Sequence, residues 1–183
     1  MGYTTTFVRD PGGPPISEEV RKILLDHRHH SMSPMTELLL YEAARAQLVT
    51  EVIRPALERQ KIVICDRFTD STLAYQGYGR SISIPRIHEA NQWACGDTIP
   101  DRTYILDISW EESIQRLSKS SVESDRLEKE QESFYQEVRK GYHRIAEEEP
   151  QRIRLLDGSK NINFLKQEIL KDAINIVEKE YDS

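Results

Sequence analysis

The chain has 183 residues, a formal net charge of −6 and a pI near 5.5, and its length suits one α/β domain with a sizeable core. The acidic balance argues against a general nucleic-acid or membrane-surface binder, because no basic excess is available to neutralise phosphates. No apolar run approaches the ~20 residues that span a bilayer, the start lacks the apolar region of a secretory signal, and the two cysteines make no metal spacing, so we expect a soluble, cytoplasmic protein with reduced thiols.

Predicted strands alternate with predicted helices along the chain. The β-branched and aromatic residues at 3–8 predict the first strand. The second, at 62–65, is a short continuous apolar run, which is typical of a parallel strand buried on both faces. Further strands are predicted at 102–107 and 152–157. This alternation favours an α/β fold with a parallel sheet that is flanked by helices on both faces.

Helical spacing of apolar residues accounts for the connections between these strands. Helices are predicted at 17–28, 34–59, 84–94, 110–119, from about 126 to 149, and at 161–178. We expect Pro55 to kink the second helix near its end. The apolar stripe of that helix includes Leu38, Leu39, Leu48 and Leu57. The hydroxyl-rich segment that follows the second strand is predicted to be a loop.

Two charged pairs follow directly after predicted strands. Arg9 and Asp10 precede Pro-Gly-Gly-Pro-Pro, which cannot be regular structure because proline fixes φ and glycine opens positive φ. Asp66 and Arg67 follow the second strand. Ligands of open α/β sheets bind at the carboxyl ends of the strands, so both pairs are candidate site residues. A plain turn and a solvated loop are the alternative interpretations.

Tyr41 and Arg45 form a third candidate pair. They are four residues apart on the helix predicted at 34–59, so they project from the same face. Small neighbours around Arg45 leave its guanidinium accessible to a ligand. A core tyrosine beside a surface arginine is the alternative.

Five blocks, in this order, resemble the thymidylate kinase family of P-loop nucleoside-monophosphate kinases. They are Arg-Asp-Pro-Gly-Gly at 9–13, the helix segment 41–47, the segment 66–77, Pro100-Asp101, and Asp-Arg-Leu-Glu at 125–128. The resemblance implies a three-layer P-loop kinase-like fold and a single domain over 1–183 with a lid at about 118–127. It also implies phosphoryl transfer from ATP to dTMP, giving dTDP and ADP in dTTP synthesis.

The resemblance implies how the acceptor nucleotide is bound. Arg67 would grip the monophosphate, since a planar guanidinium suits phosphate oxygens, and Arg9 would reach the same phosphate. Arg45 would donate to a thymine carbonyl while Tyr41 stacks on the base. Tyr75 would pack under the deoxyribose, where a 2′-hydroxyl would collide. The other substrate contacts would come from Ser71, Thr72 and Gln76.

For ATP and magnesium the resemblance implies a second set of residues. Arg126 would sweep over the ATP phosphates when the lid closes, with Arg116 at the base of the lid. Asp10, Asp125 and Glu128 would lie near magnesium or the bound nucleotide. Arg126, Arg67 and Asp10 form the implied catalytic set. The resemblance also implies a homodimer that pairs through the helix at 34–59.

The sequence departs from the family pattern in one large respect. The phosphate cradle Gly-x-x-x-x-Gly-Lys-Ser/Thr does not occur in it. We therefore expect a chain that lacks the first strand and the P-loop of the family. A catalytically inactive dTMP-binding or dimerisation remnant is the alternative to an active kinase. Another nucleoside monophosphate as acceptor is a third possibility, against which Arg45 and Tyr75 argue.

Overall fold

Parallel strand pairs with helical connections organise the protein. The structure is a computed structural model that describes residues 3–119, 126–128 and 130–181. The chain divides into two compact units, 1–99 with 122–142 and 100–121 with 143–183. Each contains one pair of parallel strands, so the predicted α/β class is confirmed. Most of the predicted lid lies outside the described residues, and one domain over the whole chain stays a prediction.

In the first unit, strands β1 (Thr5–Arg9) and β2 (Ile62–Asp66) pair in parallel, with Thr5 opposite Ile62 and Arg9 opposite Asp66. A parallel pair needs a long crossover. It consists of α1 (Pro15–Leu25), a 3₁₀ turn (His27–His29), α2 (Pro34–Leu48), a π-helical turn (Val49–Ile53) and α3 (Arg54–Glu58). The helical run from 34 to 58 confirms the predicted long helix, and the π-helical turn lies next to Pro55, which cannot donate a backbone hydrogen bond.

The segment after β2 is helical, so the predicted loop is wrong there. It forms α4 (Thr69–Thr72) and a second π-helical turn (Leu73–Gly79), followed by α5 (Ile84–Cys95). Its hydroxyl and glycine residues have weak helix propensity, and packing overrides that propensity. A Cβ at Gly79 would come within 2.6 Å of the Phe134 ring and 2.9 Å of Val138. Gly79 therefore permits close contact with the helix that carries those two residues.

The core of the first unit lies on one face of the β1–β2 pair. Its buried cluster consists of Leu48, Val49, Ile53, Phe68, Ala94 and Cys95, and Val8, Val63 and Cys65 of the strands pack against it. On the opposite face Phe7 and Ile64 are register partners and are 73% and 46% exposed. The prediction that β2 is buried on both faces is therefore wrong. Leu39 and Leu57 of the predicted apolar stripe are also exposed.

In the second unit, strands β3 (Thr103–Asp107) and β4 (Ile153–Asp157) pair in parallel, as predicted. Helix α6 (Trp110–Ser118) follows β3, α7 (Glu132–Glu148) begins in the first unit and ends in the second, and α8 (Ile162–Tyr181) follows β4. The Gly158 N–H donates to the Asp107 carbonyl at 2.8 Å and extends the pairing past the strand ends. Among the described residues, no helix is long and apolar enough to cross a membrane.

Candidate functional site

The loop after β1 is closed by one glutamate. Arg9 donates from Nη2 to both Glu18 carboxylate oxygens, at 3.1 and 3.0 Å, and the Gly13 N–H donates to Glu18 Oε1 at 2.6 Å. These hydrogen bonds lower the pKa of Glu18, and the bond from Gly13 has the largest effect. Gly12 has φ +144°, and a Cβ there would meet Glu18 Oε1 at 2.8 Å, so the loop requires glycine at this position. The loop leaves the Arg9 side chain 53% exposed beside the carboxyl end of β2.

Asp10 and Arg45 form a buried ion pair, and the predicted site residues of the loop and of α2 thus meet. Arg45 Nε donates to Asp10 Oδ2 at 2.6 Å, and both side chains are 1% exposed. The prediction that small neighbours leave the Arg45 guanidinium accessible is therefore wrong. The sequence-based expectation paired Asp10 with magnesium or with Arg9. In the structure Arg9 pairs with Glu18 instead, and Asp10 faces the helix behind it. The loop after β1 is therefore fixed to α2 through this bond.

The Arg45 guanidinium also binds three further side chains. Nη1 donates to Glu42 Oε1 at 2.6 Å and to Asn91 Oδ1 at 2.7 Å, and Nη2 donates to the Thr72 hydroxyl at 2.7 Å. The guanidinium lies 5.4 Å from the Phe68 ring centroid, within cation–π range. Arg45 therefore connects α2 with the loop after β1, with α4 and with α5.

Two buried carboxylates face this one guanidinium. Burial raises the pKa of Asp10 and of Glu42, and the attraction of Arg45 offsets this only in part. Asp10 Oδ1 and Glu42 Oε2 are buried and accept no hydrogen bond from the described residues. Because carboxylates in a dry site cost free energy unless they are paired, the cluster depends on Arg45.

Arg67 presents a cation at the end of β2. It is exposed and has φ 63°, a strained conformation for a residue with a side chain, and such strain clusters at functional sites. Its guanidinium lies 5.0 Å from the Tyr75 ring centroid. The phenol of Tyr75 and, to a smaller extent, those of Tyr142 and Tyr41 raise the pKa of Arg67, while burial lowers it. The predicted residues Arg67, Tyr75 and Tyr41 are thus brought into one neighbourhood.

Aromatic residues of α7 hold Tyr75 in place. Its ring packs edge-on against Phe134 at 6.0 Å and Tyr142 at 6.3 Å. Tyr142 donates its hydroxyl to Ser71 Oγ at 3.0 Å, and burial raises the pKa of Tyr142 to about 12. Tyr142 therefore stays neutral near pH 7. Tyr75 and Ser71 are fixed together by one helix.

Another buried carboxylate, that of Glu37 in α2, accepts hydrogen bonds from three side chains. Glu37 Oε1 accepts from Gln76 Nε2 at 2.8 Å, and Arg80 donates to both carboxylate oxygens at 3.1 Å. Arg126 Nη2 donates to Oε2 at 2.6 Å. Burial raises the pKa of Glu37, but the hydrogen bonds from Arg80, Gln76 and Arg126 together outweigh it, so this pKa lies below the ordinary value.

The residues predicted for the lid and for ATP differ in their burial and in their hydrogen bonds. Arg126 is buried, with its Nε on the Leu24 carbonyl at 2.8 Å and its Nη2 on Glu37. Arg116, in the second unit, donates to the Gly158 carbonyl at 2.7 Å and to Glu112 at 2.5 Å. Glu128 is half-buried. Asp125 lies outside the described residues. The nucleotide-binding roles of these residues stay predictions.

The described residues offer no ready-made metal centre. Within residues 3–119, 126–128 and 130–181, no group of three histidine, cysteine, aspartate or glutamate side chains could hold a metal ion. Asp10 is a poor fit for direct magnesium binding in this arrangement, because its carboxylate already pairs with a buried guanidinium. Magnesium commonly reaches phosphoryl-transfer sites with few protein ligands and with the substrate phosphates as its main partners.

Several residues that shape this site were not predicted from the sequence. They are Glu37, Glu42, Phe68, Asn91, Phe134 and Tyr142. Helical spacing in the sequence could have indicated two of them. Glu37 lies four residues before Tyr41 and eight before Arg45, and Glu42 lies three before Arg45, so these side chains share the face of the named candidates. The other contacts join residues that are distant in sequence.

Comparisons with known proteins identify the family that this chain resembles in sequence. The family model described as thymidylate kinase matches residues 1–169. A thymidylate kinase of Pelotomaculum thermopropionicum is 41% identical over 178 residues, which cover 97% of this chain and 82% of the relative. One of Exiguobacterium sibiricum is 43% identical over 178 residues, covering 97% of this chain and 84% of the relative.

A solved structure is similar as well. The crystal structure of thymidylate kinase from Ehrlichia chaffeensis matches with a TM-score of 0.73 and 34% sequence identity. The match covers 93% of this chain and 80% of that one. The likeness therefore extends to the arrangement of strands and helices as well as to the sequence.

We predict that Arg45→Met lowers the free energy of unfolding by about 3–5 kcal/mol, because it leaves Asp10 and Glu42 buried without a cation. The measurement is urea denaturation at pH 7. The control is Arg86→Met, a change of an exposed arginine that we expect to alter stability by less than about 0.5 kcal/mol. A loss below about 1 kcal/mol for Arg45→Met would contradict the dependence on this pair.

The lowered pKa of Glu37 predicts a pH effect. We expect Glu37→Gln to be less stable than the unmodified protein by about 3 kcal/mol at pH 7. Below the ordinary pKa of 4.5 the unfolded chain binds this proton more readily than the native state, so the stabilisation by ionised Glu37 is lost as pH falls through its lowered pKa. The difference between the two proteins therefore narrows as pH falls.

The control for this experiment is Glu42→Gln, whose effect has the opposite sign. Burial raises the pKa of Glu42, so the native state binds this proton first and acidification stabilises the unmodified protein relative to Glu42→Gln. Urea denaturation from pH 7 to pH 3 measures both differences. A gap to Glu37→Gln that stays constant or widens towards low pH would refute the assignment.

Proposed function

This chain belongs to the thymidylate kinase family, and from that premise we propose that it transfers the γ-phosphoryl group of ATP to dTMP, giving dTDP and ADP. The observation that carries the proposal is the exposed Arg67 guanidinium at the carboxyl end of β2, held over Tyr75 and next to the Arg45 cluster. Ligands of open α/β sheets bind at such strand ends.

The phosphate of dTMP is proposed to bind Arg67 and Arg9. Both residues are exposed. Arg9 is the last residue of β1 and Arg67 directly follows β2, its strand partner. A guanidinium binds phosphate oxygens through two parallel N–H groups and stays charged at neutral pH. The guanidinium of Arg67 lies over the Tyr75 ring, and this contact supports a role in holding the acceptor phosphate in line for transfer.

The thymine base is proposed to lie against Tyr41 and Arg45. Arg45 has five N–H groups, and the hydrogen bonds to Asp10, Glu42, Asn91 and Thr72 use four of them. Among the bonds of the described residues, one N–H of Nη2 is left for a ligand carbonyl. The ion pairs hold the guanidinium in a fixed orientation, and such preorganisation favours a single base geometry. The Ser71 hydroxyl is proposed to contact the base edge.

In the proposed reaction, a phosphate oxygen of dTMP bonds to the γ-phosphorus of ATP while the bond from that phosphorus to the bridging β–γ oxygen breaks. The oxygen that leaves remains on ADP. Such transfers depend on positioning and on cations placed where charge spreads. Arg67 supplies both at the acceptor phosphate. Arg126 and Arg116, with Asp125 and Glu128, are proposed for the ATP side, and Arg126 must exchange Glu37 for phosphate to act there.

Magnesium is proposed to accompany ATP and to neutralise charge on its phosphates when it is bound. Asp125 and Glu128 remain the proposed carboxylates of that side. Asp10, first expected there, is proposed to hold Arg45 in place instead. We also propose a cytoplasmic location. Both cysteines are free thiols, as is usual in a reducing compartment.

We predict that the protein binds dTMP and that Arg67→Met weakens this binding at least about tenfold, because a charged hydrogen bond to phosphate is lost. Methionine carries a side chain of similar length and the same backbone strain. Isothermal titration calorimetry with dTMP and with thymidine measures the effect. Thymidine lacks the phosphate, so its binding is expected to stay unchanged, and Arg86→Met is the surface control. Equal losses for both ligands would refute the phosphate role of Arg67.

The activity itself is tested by ADP release from ATP and magnesium in the presence of dTMP, UMP or dAMP. Thymidylate kinase activity predicts release that is fastest with dTMP. Binding of dTMP without ADP release would favour the binding-only alternative, which the absence of Gly-x-x-x-x-Gly-Lys-Ser/Thr from the sequence suggests. If dTMP were the poorest acceptor, the base assignment would be wrong.

A homodimer that pairs through residues 34–59 completes the proposal. Leu39 on α2 and Leu57 on α3 are exposed, although both fall in the apolar stripe of this helical run. Apolar side chains on an otherwise buried stripe suit a contact with a second copy. Size-exclusion chromatography with light scattering should give about twice the 21.3 kDa of one chain. A monomer mass at micromolar concentration would contradict the dimer.

A further inference from the structure

A glutamine amide has two different ends, and Glu37 determines which end of Gln76 is available. A carboxylate only accepts hydrogen bonds, so the Gln76 group at 2.8 Å from Glu37 Oε1 must be the NH₂ group. The Gln76 carbonyl oxygen therefore points away from Glu37. Both residues are buried, at 2% and 1% exposure, so the amide has little room to rotate.

Two arginines hold Glu37 as an ionised hydrogen-bond acceptor. Arg80 and Arg126 donate to its oxygens at 3.1 and 2.6 Å. Arg80 also donates to Glu130 at 2.6 Å and lies 4.5 Å from the Phe134 ring centroid, which restrains it from two further sides. Two carboxylates and two guanidinium groups balance in this cluster. Glu37 is therefore a fixed, charged acceptor at neutral pH.

We propose that Glu37 is a positioning residue for base selection: it fixes the Gln76 amide so that the carbonyl oxygen faces the acceptor nucleotide. This inference rests on the proposed function, in which Gln76 belongs to the dTMP site. Thymine carries a hydrogen-bond donor at N3, whereas cytosine carries an acceptor at the same position. A fixed carbonyl oxygen favours the thymine donor and repels the cytosine acceptor, and an unfilled buried polar group is costly.

The experiment compares dTMP with dCMP binding by isothermal titration calorimetry at pH 7. The variant is Glu37→Gln, which keeps the shape but offers Gln76 either an acceptor or a donor, so the amide of Gln76 is free to flip. We expect the ratio of dTMP to dCMP affinity to fall about tenfold, the effect of one well-placed hydrogen bond. A purely structural role for Glu37 would lower stability, or both affinities alike, and leave the ratio unchanged.

The matched control is Glu130→Gln, which removes the other carboxylate on Arg80 but does not touch Gln76. We expect it to change the melting temperature and to keep the affinity ratio. Should Glu37→Gln fail to fold, Glu37→Asp replaces it, because aspartate keeps the charge yet withdraws the carboxylate from Gln76 by one methylene. The same fall in the ratio is expected.

The outcomes separate this inference from the function on which it rests. If the unmodified protein does not prefer dTMP, the proposed function fails and the inference fails with it. If the unmodified protein prefers dTMP and the Glu37 variants keep that preference, the function stands and the positioning role of Glu37 is overturned. A fall in the ratio that Glu130→Gln reproduces would also overturn it, since the effect would then belong to the ion-pair cluster as a whole.

Discussion

The buried pairing of Arg45 with Asp10 and Glu42 is the constraint on which the first unit depends. A guanidinium that is 1% exposed needs anionic partners, and the two carboxylates need it in turn. Asp10 follows β1, Thr72 belongs to the helical segment after β2, and Asn91 belongs to α5, so one side chain fixes three separate segments against α2. The bonds that fix the orientation of this arginine therefore also hold these segments together.

Helix α2 carries two buried charged residues, each of which binds several other side chains. Glu37 and Arg45 are eight residues apart, a little over two helical turns, and have opposite charge. Each also binds the segment 66–80: Glu37 accepts from Gln76 and Arg80, and Arg45 donates to Thr72. That segment is consequently attached to the helix at both ends. Its weak helix formers are held in helical turns by these bonds and by the close contact of Gly79 with α7.

Much of the fold could be predicted from the sequence because its strands and helices have clear periodicity. The four strands, α5 and the long helical run appear where the pattern indicates them. The segment after β2 could not be predicted correctly, because tertiary contacts made by residues far away in sequence decide its structure. The exposure of Ile64 was not predicted for a related reason. The apolar run of β2 shows that both faces of the strand suit burial, but it cannot show which elements cover each face.

The candidate site was predictable in its composition and less so in its bonding. Tyr41 and Arg45 share a helix face as their spacing indicates, and Arg67 lies beside Tyr75. The partner of Asp10 could not be derived, since residues 35 positions apart carry no local signal for pairing. The carboxylate partners of Arg45 on its own helix were within reach of the i, i+3 rule. The sequence therefore indicated which residues form the site better than it indicated their hydrogen-bond partners.

Exposure separates the arginines into two groups with different consequences for phosphate binding. Arg67 and Arg9 can exchange water for phosphate oxygens without leaving a buried partner uncompensated. Arg126 would first have to leave the buried Glu37, and weakening the pairing of a buried carboxylate costs free energy. Arg80 stays on that carboxylate and limits the cost, since Glu37 keeps one guanidinium when Arg126 departs. The bidentate pairing of Arg80 with Glu37 therefore makes the exchange of Arg126 physically feasible, whereas Arg45, with its two carboxylates, remains in place.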